Sequence, residues 1–149
     1  MELSKYSKLK FFSVLNGWYV DADNMHQVYN YLVHGLSPGS FHEALFSNDA
    51  TAALSLVYPA SNLQNLSSLA RYLRSSDLWN VAFGSHEVVD AWLRMTEEQR
   101  RQILIDADMV NSEARDIDLA LRDDHDPGDN VLLMKNDSTR IFFDIRIVT

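Results

Sequence analysis

The chain has no cysteine among its 149 residues. That excludes a disulfide staple, a thiolate nucleophile and a zinc site built on thiolates. No apolar run approaches the roughly 20 residues that a helix needs to span a bilayer. The opening residues, Met1-Glu2-Leu3-Ser4-Lys5, have no apolar stretch behind a basic cluster and no small-residue cleavage site. No signal peptide is therefore expected, and a cytoplasmic location is the default. Glycine and proline are scarce, at five and three. No glycine-rich loop with a lysine opens a helix, so a phosphate cradle is not expected. Neither the HExxH spacing of a zinc protease nor the Gly-x-Ser-x-Gly elbow of a hydrolase occurs.

Positive charge is also in short supply. Thirteen Lys and Arg face twenty-one Asp and Glu, a formal net charge of −8. The surplus is unevenly placed, because residues 97–129 hold eleven acids against Arg100, Arg101, Arg115 and Arg122, a local net of −7. A block of that sign repels nucleic-acid phosphates and favours a basic partner. The plainer reading is a solvated helical face that keeps the protein soluble. Lys5, Lys8 and Lys10, with Tyr6, Phe11 and Phe12, form the one basic and aromatic cluster, too weakly charged to predict nucleic-acid binding.

With 46% hydrophobic and 23% charged residues, the composition is that of a globular chain, and the length suits one domain. Asn16-Gly17 between apolar flanks signals a two-residue hairpin over residues 8–20. The competing reading is a helix over residues 4–15 that stops at Asn16-Gly17. The scatter of Leu3, Tyr6, Leu9, Phe11, Phe12, Val14 and Leu15 round a helical cylinder favours the hairpin. Helical periodicity then takes over. Met25, Val28, Tyr29, Leu32 and Val33 share a face, and Gly35 and Pro38 stop that helix. Phe41, Ala44 and Leu45 begin a second, and Asn48-Asp49 caps a third. Leu63, Leu66, Leu69, Ala70 and Leu73 make the cleanest apolar stripe. Ser85 caps a helix carrying Val88, Val89, Trp92 and Leu93. Thr96-Glu97-Glu98-Gln99 is a capping box. A last helix is expected over residues 112–122, with Ala114, Ile117 and Leu121 inward. Residues 123–130 then read as a loop, and residues 131–149 as a half-buried β-hairpin with Ile141, Phe143, Ile145 and Ile147 on one face. The expected architecture is α+β: one domain with a helical core over residues 23–122 and a hairpin at each end.

One stretch is familiar. Val28-Tyr29-Asn30-Tyr31-Leu32-Val33-His34-Gly35, then Pro38-Gly39-Ser40-Phe41, then Ala44-Leu45-Phe46-Ser47-Asn48-Asp49 with Ala53, resembles a group of small uncharacterised helical proteins of bacteriophages, prophages and plasmids. Gly84-Ser85 followed by Val88 and Trp92-Leu93 is similar to the end of that unit. The likeness covers residues 24–93. It implies a mobile-element protein in a bacterial cytosol and brings no activity with it.

The candidate chemistry comes from charge. The acidic-face candidates are Asp106, Asp108, Glu113, Asp116, Asp118, Asp123, Asp124 and Asp126, expected to meet a basic surface on a host protein. One form of such a protein is an inhibitor of a nucleic-acid-handling defence system that mimics phosphate charge. Trp79, in the linker before Ser85, is the candidate interface aromatic. No cofactor, metal or catalytic residue is expected, and the reading is non-enzymatic. The loop at residues 123–130 fits neither calcium-loop register. Two alternatives stand: an enzyme using the His125 loop or the His34/His42 corner, and a structural protein that associates with itself.

Overall fold

The computed structural model describes residues 1–57 and 63–125. Among them are eight helices: α1 (Lys5–Gly17), α2 (Ala22–Leu32), α3 (Ser40–Phe46), α4 (Ala50–Ser55), α5 (Leu63–Ser75), α6 (His86–Arg94), α7 (Glu97–Asp106) and α8 (Glu113–His125). No sheet forms among the described residues; one isolated bridge joins Trp79 and Phe83. The protein is therefore all-helical where described, which corrects the expected α+β class. The expected C-terminal hairpin, residues 131–149, lies outside the described residues.

The N-terminal hairpin is overturned directly, because residues 8–17 belong to α1. Ser4 caps that helix by accepting the Ser7 amide at 3.1 Å. Its apolar residues scatter because the helix is packed on several sides: every residue from Tyr6 to Asn16 is at least partly covered. A helix covered all round has no single apolar stripe to detect. The Asn-Gly pair ends it, but the left-handed residue is Tyr19, at φ +60°. The Val20 amide returns to the Leu15 carbonyl at 3.2 Å and the Tyr19 amide to Asn16 at 2.9 Å, which is a Schellman stop.

The same stop recurs with Asn48 after α3 and Asp108 after α7, both left-handed. There the amides of Asp49 and Met109 return to the carbonyls of Ala44 and Leu104. Asn and Asp tolerate that conformation better than most side chains. The predicted caps are present too. Asp49 takes the Ala52 amide, Ser85 takes the Val88 amide, and both halves of the Thr96–Gln99 box are made.

The core gathers where α1, α2, α5, α6 and the segment around Phe83 converge. Tyr29 stacks on Phe12 and meets Phe11 edge-on, while Tyr31 lies against Phe46 and Phe83. The polar ends of these buried rings are satisfied: Tyr31 donates to the Ala82 carbonyl at 2.6 Å, and Trp92 Nε1 donates to the Tyr31 carbonyl at 3.1 Å. That pairing lets large aromatics sit deep without an orphaned donor.

The corner between α2 and α3 sets where α3 lies. Gly35 is left-handed, at φ +64°, and the buried guanidinium of Arg100 lies where a side chain at residue 35 would be. A Cβ there would meet Arg100 Cζ at 2.7 Å. Arg100 also donates to the Met95 carbonyl at 2.6 Å. It thereby clamps the corner onto the start of α7, and the returning chain brings α3 back beside the N-terminal turn of α2.

Candidate functional site

The acidic block is largely tied down. Asp116 accepts from Ser7 Oγ, with its two oxygens at 2.9 and 2.8 Å, and from Asn111 Nδ2 at 3.1 Å. Ser7 is fully buried and also accepts the Asn111 amide, so one hydroxyl joins α1, the α7–α8 link and α8. Asp118 pairs with Arg115 at 3.2 Å and Arg122 at 3.1 Å on its own helix. Asp123 sits 3.0 Å from Lys5 Nζ, and Asp108 pairs with Lys10. Asp106 is exposed and receives Gln102, while Glu113 is exposed at the start of α8. Asp123, Asp124 and His125 form the last turn of α8, correcting the loop expected from residue 123. Asp126 and the remainder of that loop lie outside the described residues. The structure thus brings the carboxylates together only in part: Asp108, Asp116 and Asp123 meet α1, and Asp106 and Asp118 are engaged within their own helices.

Other expectations shift as well. Ala114, Ile117 and Leu121 face outward, not inward; Ile117 is 61% and Leu121 56% exposed. The polar face of α8 packs on α1, and its apolar face meets solvent. Trp79 is half-buried, with Arg74 Cζ 4.9 Å from its ring centroid, so one ring face already has a cationic neighbour.

A different site emerges at the α2–α3 corner. A cleft of about 270 Å³ opens between the first turns of α2 and α3 and the start of α5. Asp21, Asp23, Asn24, His42 and Asn65 supply its polar lining. Phe41, Leu56, Val57 and Leu66 supply its apolar walls. Asp21 occupies the N-cap position of α2 but its side chain does not cap the backbone. It takes the Asn24 side chain instead, with Nδ2 to Oδ1 at 2.6 Å. Asn24 Oδ1 then meets His42 Nε2 at 2.8 Å.

The direction of this relay is fixed by its ends. An ionised carboxylate only accepts, so the Asn24 NH₂ must face Asp21 and the amide oxygen must face His42. An amide oxygen also only accepts, so His42 Nε2 carries the proton. Burial pushes the His42 imidazole down to about 4, against a smaller opposing pull from Asp21. At neutral pH the ring is therefore uncharged and fixed in one tautomer.

A base oriented by a second group resembles the arrangement behind an activated nucleophile. Among the described residues no hydroxyl or thiol lines the cleft, and a base near 4 has little drive to take a proton at neutral pH. No Lys or Arg lines the cleft among the described residues. What remains is a partly enclosed set of acceptors bearing two carboxylates.

No family model, curated protein or solved structure matches this chain. The site's meaning rests on its own chemistry. The His34/His42 corner was visible in the sequence, but its working partners, Asp21 and Asn24, were not. Their signal is a spacing of three residues at a helix start, which reads as an ordinary cap. His34 stays apart from the relay, edge-on to Tyr29 at 5.3 Å. Its imidazole is held down mainly by burial, helped by the N-terminal ammonium. Among the described residues no cluster of three His, Asp or Glu side chains is placed to hold a metal ion. None of their helices is long and apolar enough to cross a membrane.

Proposed function

We propose that this protein is a non-enzymatic binding protein that captures a partner protein through basic residues, with the cleft between α2, α3 and α5 as its capture point. In the setting that the resemblance over residues 24–93 suggests, the partner belongs to a bacterial host and the protein to a mobile element. An inhibitor of a nucleic-acid-handling system is one form this takes, since such systems present basic surfaces. The observation that supports the reading is the Asp21–Asn24–His42 relay. It holds a neutral, oriented imidazole beside two carboxylates. The acidic block of residues 97–125 contributes long-range attraction more than contact, because Asp108, Asp116, Asp118 and Asp123 are engaged within the chain.

The test is binding of the full-length protein to an arginine- and lysine-rich peptide, at low and high salt. Binding that weakens with salt and with Asp23→Asn, and survives Asp118→Asn, supports the reading. Binding that ignores Asp23→Asn and vanishes with Asp118→Asn returns the contact to α8. Binding absent at low salt removes the reading altogether.

The outward Ile117 and Leu121 favour a second reading, self-association through α8. Sedimentation across a dilution series separates the two: a monomer at every concentration eliminates self-association.

A further inference from the structure

The cleft is built for more than general negative charge, and its walls narrow the chemistry of the group that enters. At about 270 Å³ it falls just below the ~300–1,000 Å³ range of small-molecule sites. That suits one long side chain and not a nucleotide or an extended ligand. The acceptors sit on two elements: Asp21 and Asp23 at the start of α2, and Asn65 in the first turn of α5. Phe41 and Leu56 give the cleft an aromatic and an aliphatic wall. A ligand matching this set carries several donors in a plane, a positive charge and an apolar stem.

We infer that the cleft takes a single guanidinium-bearing side chain, an arginine, whose stem lies along Phe41 and Leu56 while its planar head meets the α2 carboxylates. The inference rests on the proposed capture of a basic partner and names the residue type that is captured. Guanidinium is favoured over ammonium on three grounds. It presents five donors in a plane, it stacks on aromatic faces, and it sheds water more readily on entering a partly enclosed site. The neutral imidazole of His42 is needed for the same reason, since a protonated ring would place a second cation in the cleft. The relay through Asn24 positions the ring, and burial keeps it unprotonated. His42 is thus a positioning and charge-setting residue and not a catalytic one.

The experiment is a ¹H–¹⁵N amide titration of the full-length protein with N-acetyl-arginine methylamide. Parallel titrations use the lysine analogue and the citrulline analogue, which keeps the shape of arginine without its charge. The expected result is a saturable shift confined to amides of the cleft. The citrulline analogue should bind about tenfold more weakly or worse, and the lysine analogue measurably more weakly than arginine. Asp23→Asn, at an exposed position, should weaken arginine binding several-fold with the rest of the spectrum unchanged.

Shifts spread over the acidic surface, citrulline binding as well as arginine, or indifference to Asp23→Asn would each overturn the inference. Lysine binding as tightly as arginine would overturn its guanidinium part. If a basic peptide binds in a salt-dependent way but the arginine analogue leaves the cleft unmoved, the side-chain pocket falls and the capture reading survives. If the analogue binds the cleft but no basic peptide binds, the pocket stands and the capture reading falls.

Discussion

Ser7 Oγ donates to the Asp116 carboxylate across 109 residues of sequence, at 2.8 Å to the nearer oxygen. The same hydroxyl oxygen accepts the Asn111 amide at 3.1 Å. A carboxylate that looked like part of an outward acidic face is instead the peg that seats α8 on α1. Ser7→Ala leaves a half-buried carboxylate and a backbone amide short of a partner. The expected cost is about 1–3 kcal/mol, read as a lower urea midpoint. Asp118→Asn, at an intra-helix surface pair, should shift the midpoint far less.

Gly35 and Arg100 form a second interlocked pair. Gly35→Ala meets both a left-handed backbone and the guanidinium at 2.7 Å. The backbone part alone is about 1–2 kcal/mol, and displacement of Arg100 adds to it. In a double-mutant cycle with Arg100→Ala, part of the loss should be recovered, giving non-additivity of about 0.5 kcal/mol or more. Strict additivity would show that the steric contact is unimportant.

Tyr19 is left-handed and 79% exposed. Tyr19→Gly relieves the strained stop of α1 and should stabilise the fold by about 1 kcal/mol. A rise in melting temperature is the expected readout. A fall would mean that the ring makes stabilising contacts outweighing the strain.

The depressed imidazole of His42 makes stability depend on pH. Folded His42 titrates near 4, below its ordinary value of 6.5. Between those values the unfolded chain binds the extra proton, so stability rises with pH through that window and is lost as pH falls from about 6.5 toward 4. The slope from one such group cannot exceed about 1.4 kcal/mol per pH unit. Urea midpoints from pH 7.5 to 4.5 should fall steeply for the natural chain and less steeply for His42→Gln. His34, also held down, contributes in the same direction to both proteins. Equal slopes would remove His42 from the account.

The helical middle was legible because its signals are local. Ser85, Asp49 and the Thr96–Gln99 box act within three residues, and α2 shows one apolar face because one side of it is covered. The first helix hid itself by being packed on several sides, so Phe11, Phe12 and Leu15 gave no period. Ile117 and Leu121 misled for the opposite reason. Their spacing is that of a buried stripe, yet polar Ser7 and Lys5 on α1 took the other face of α8. Asp116 and Asp21 show why the site was misplaced. Whether a carboxylate faces solvent, a hydroxyl or an amide depends on partners far away in sequence, and composition counts all three alike.

The central claim is that the cleft, and not the acidic block, makes the contact. Calorimetric titration of a basic peptide into the natural chain, Asp23→Asn and Asp118→Asn at matched salt tests it most directly. The account predicts several-fold weaker binding for Asp23→Asn and near-natural binding for Asp118→Asn. The reverse order of the two variants would contradict it.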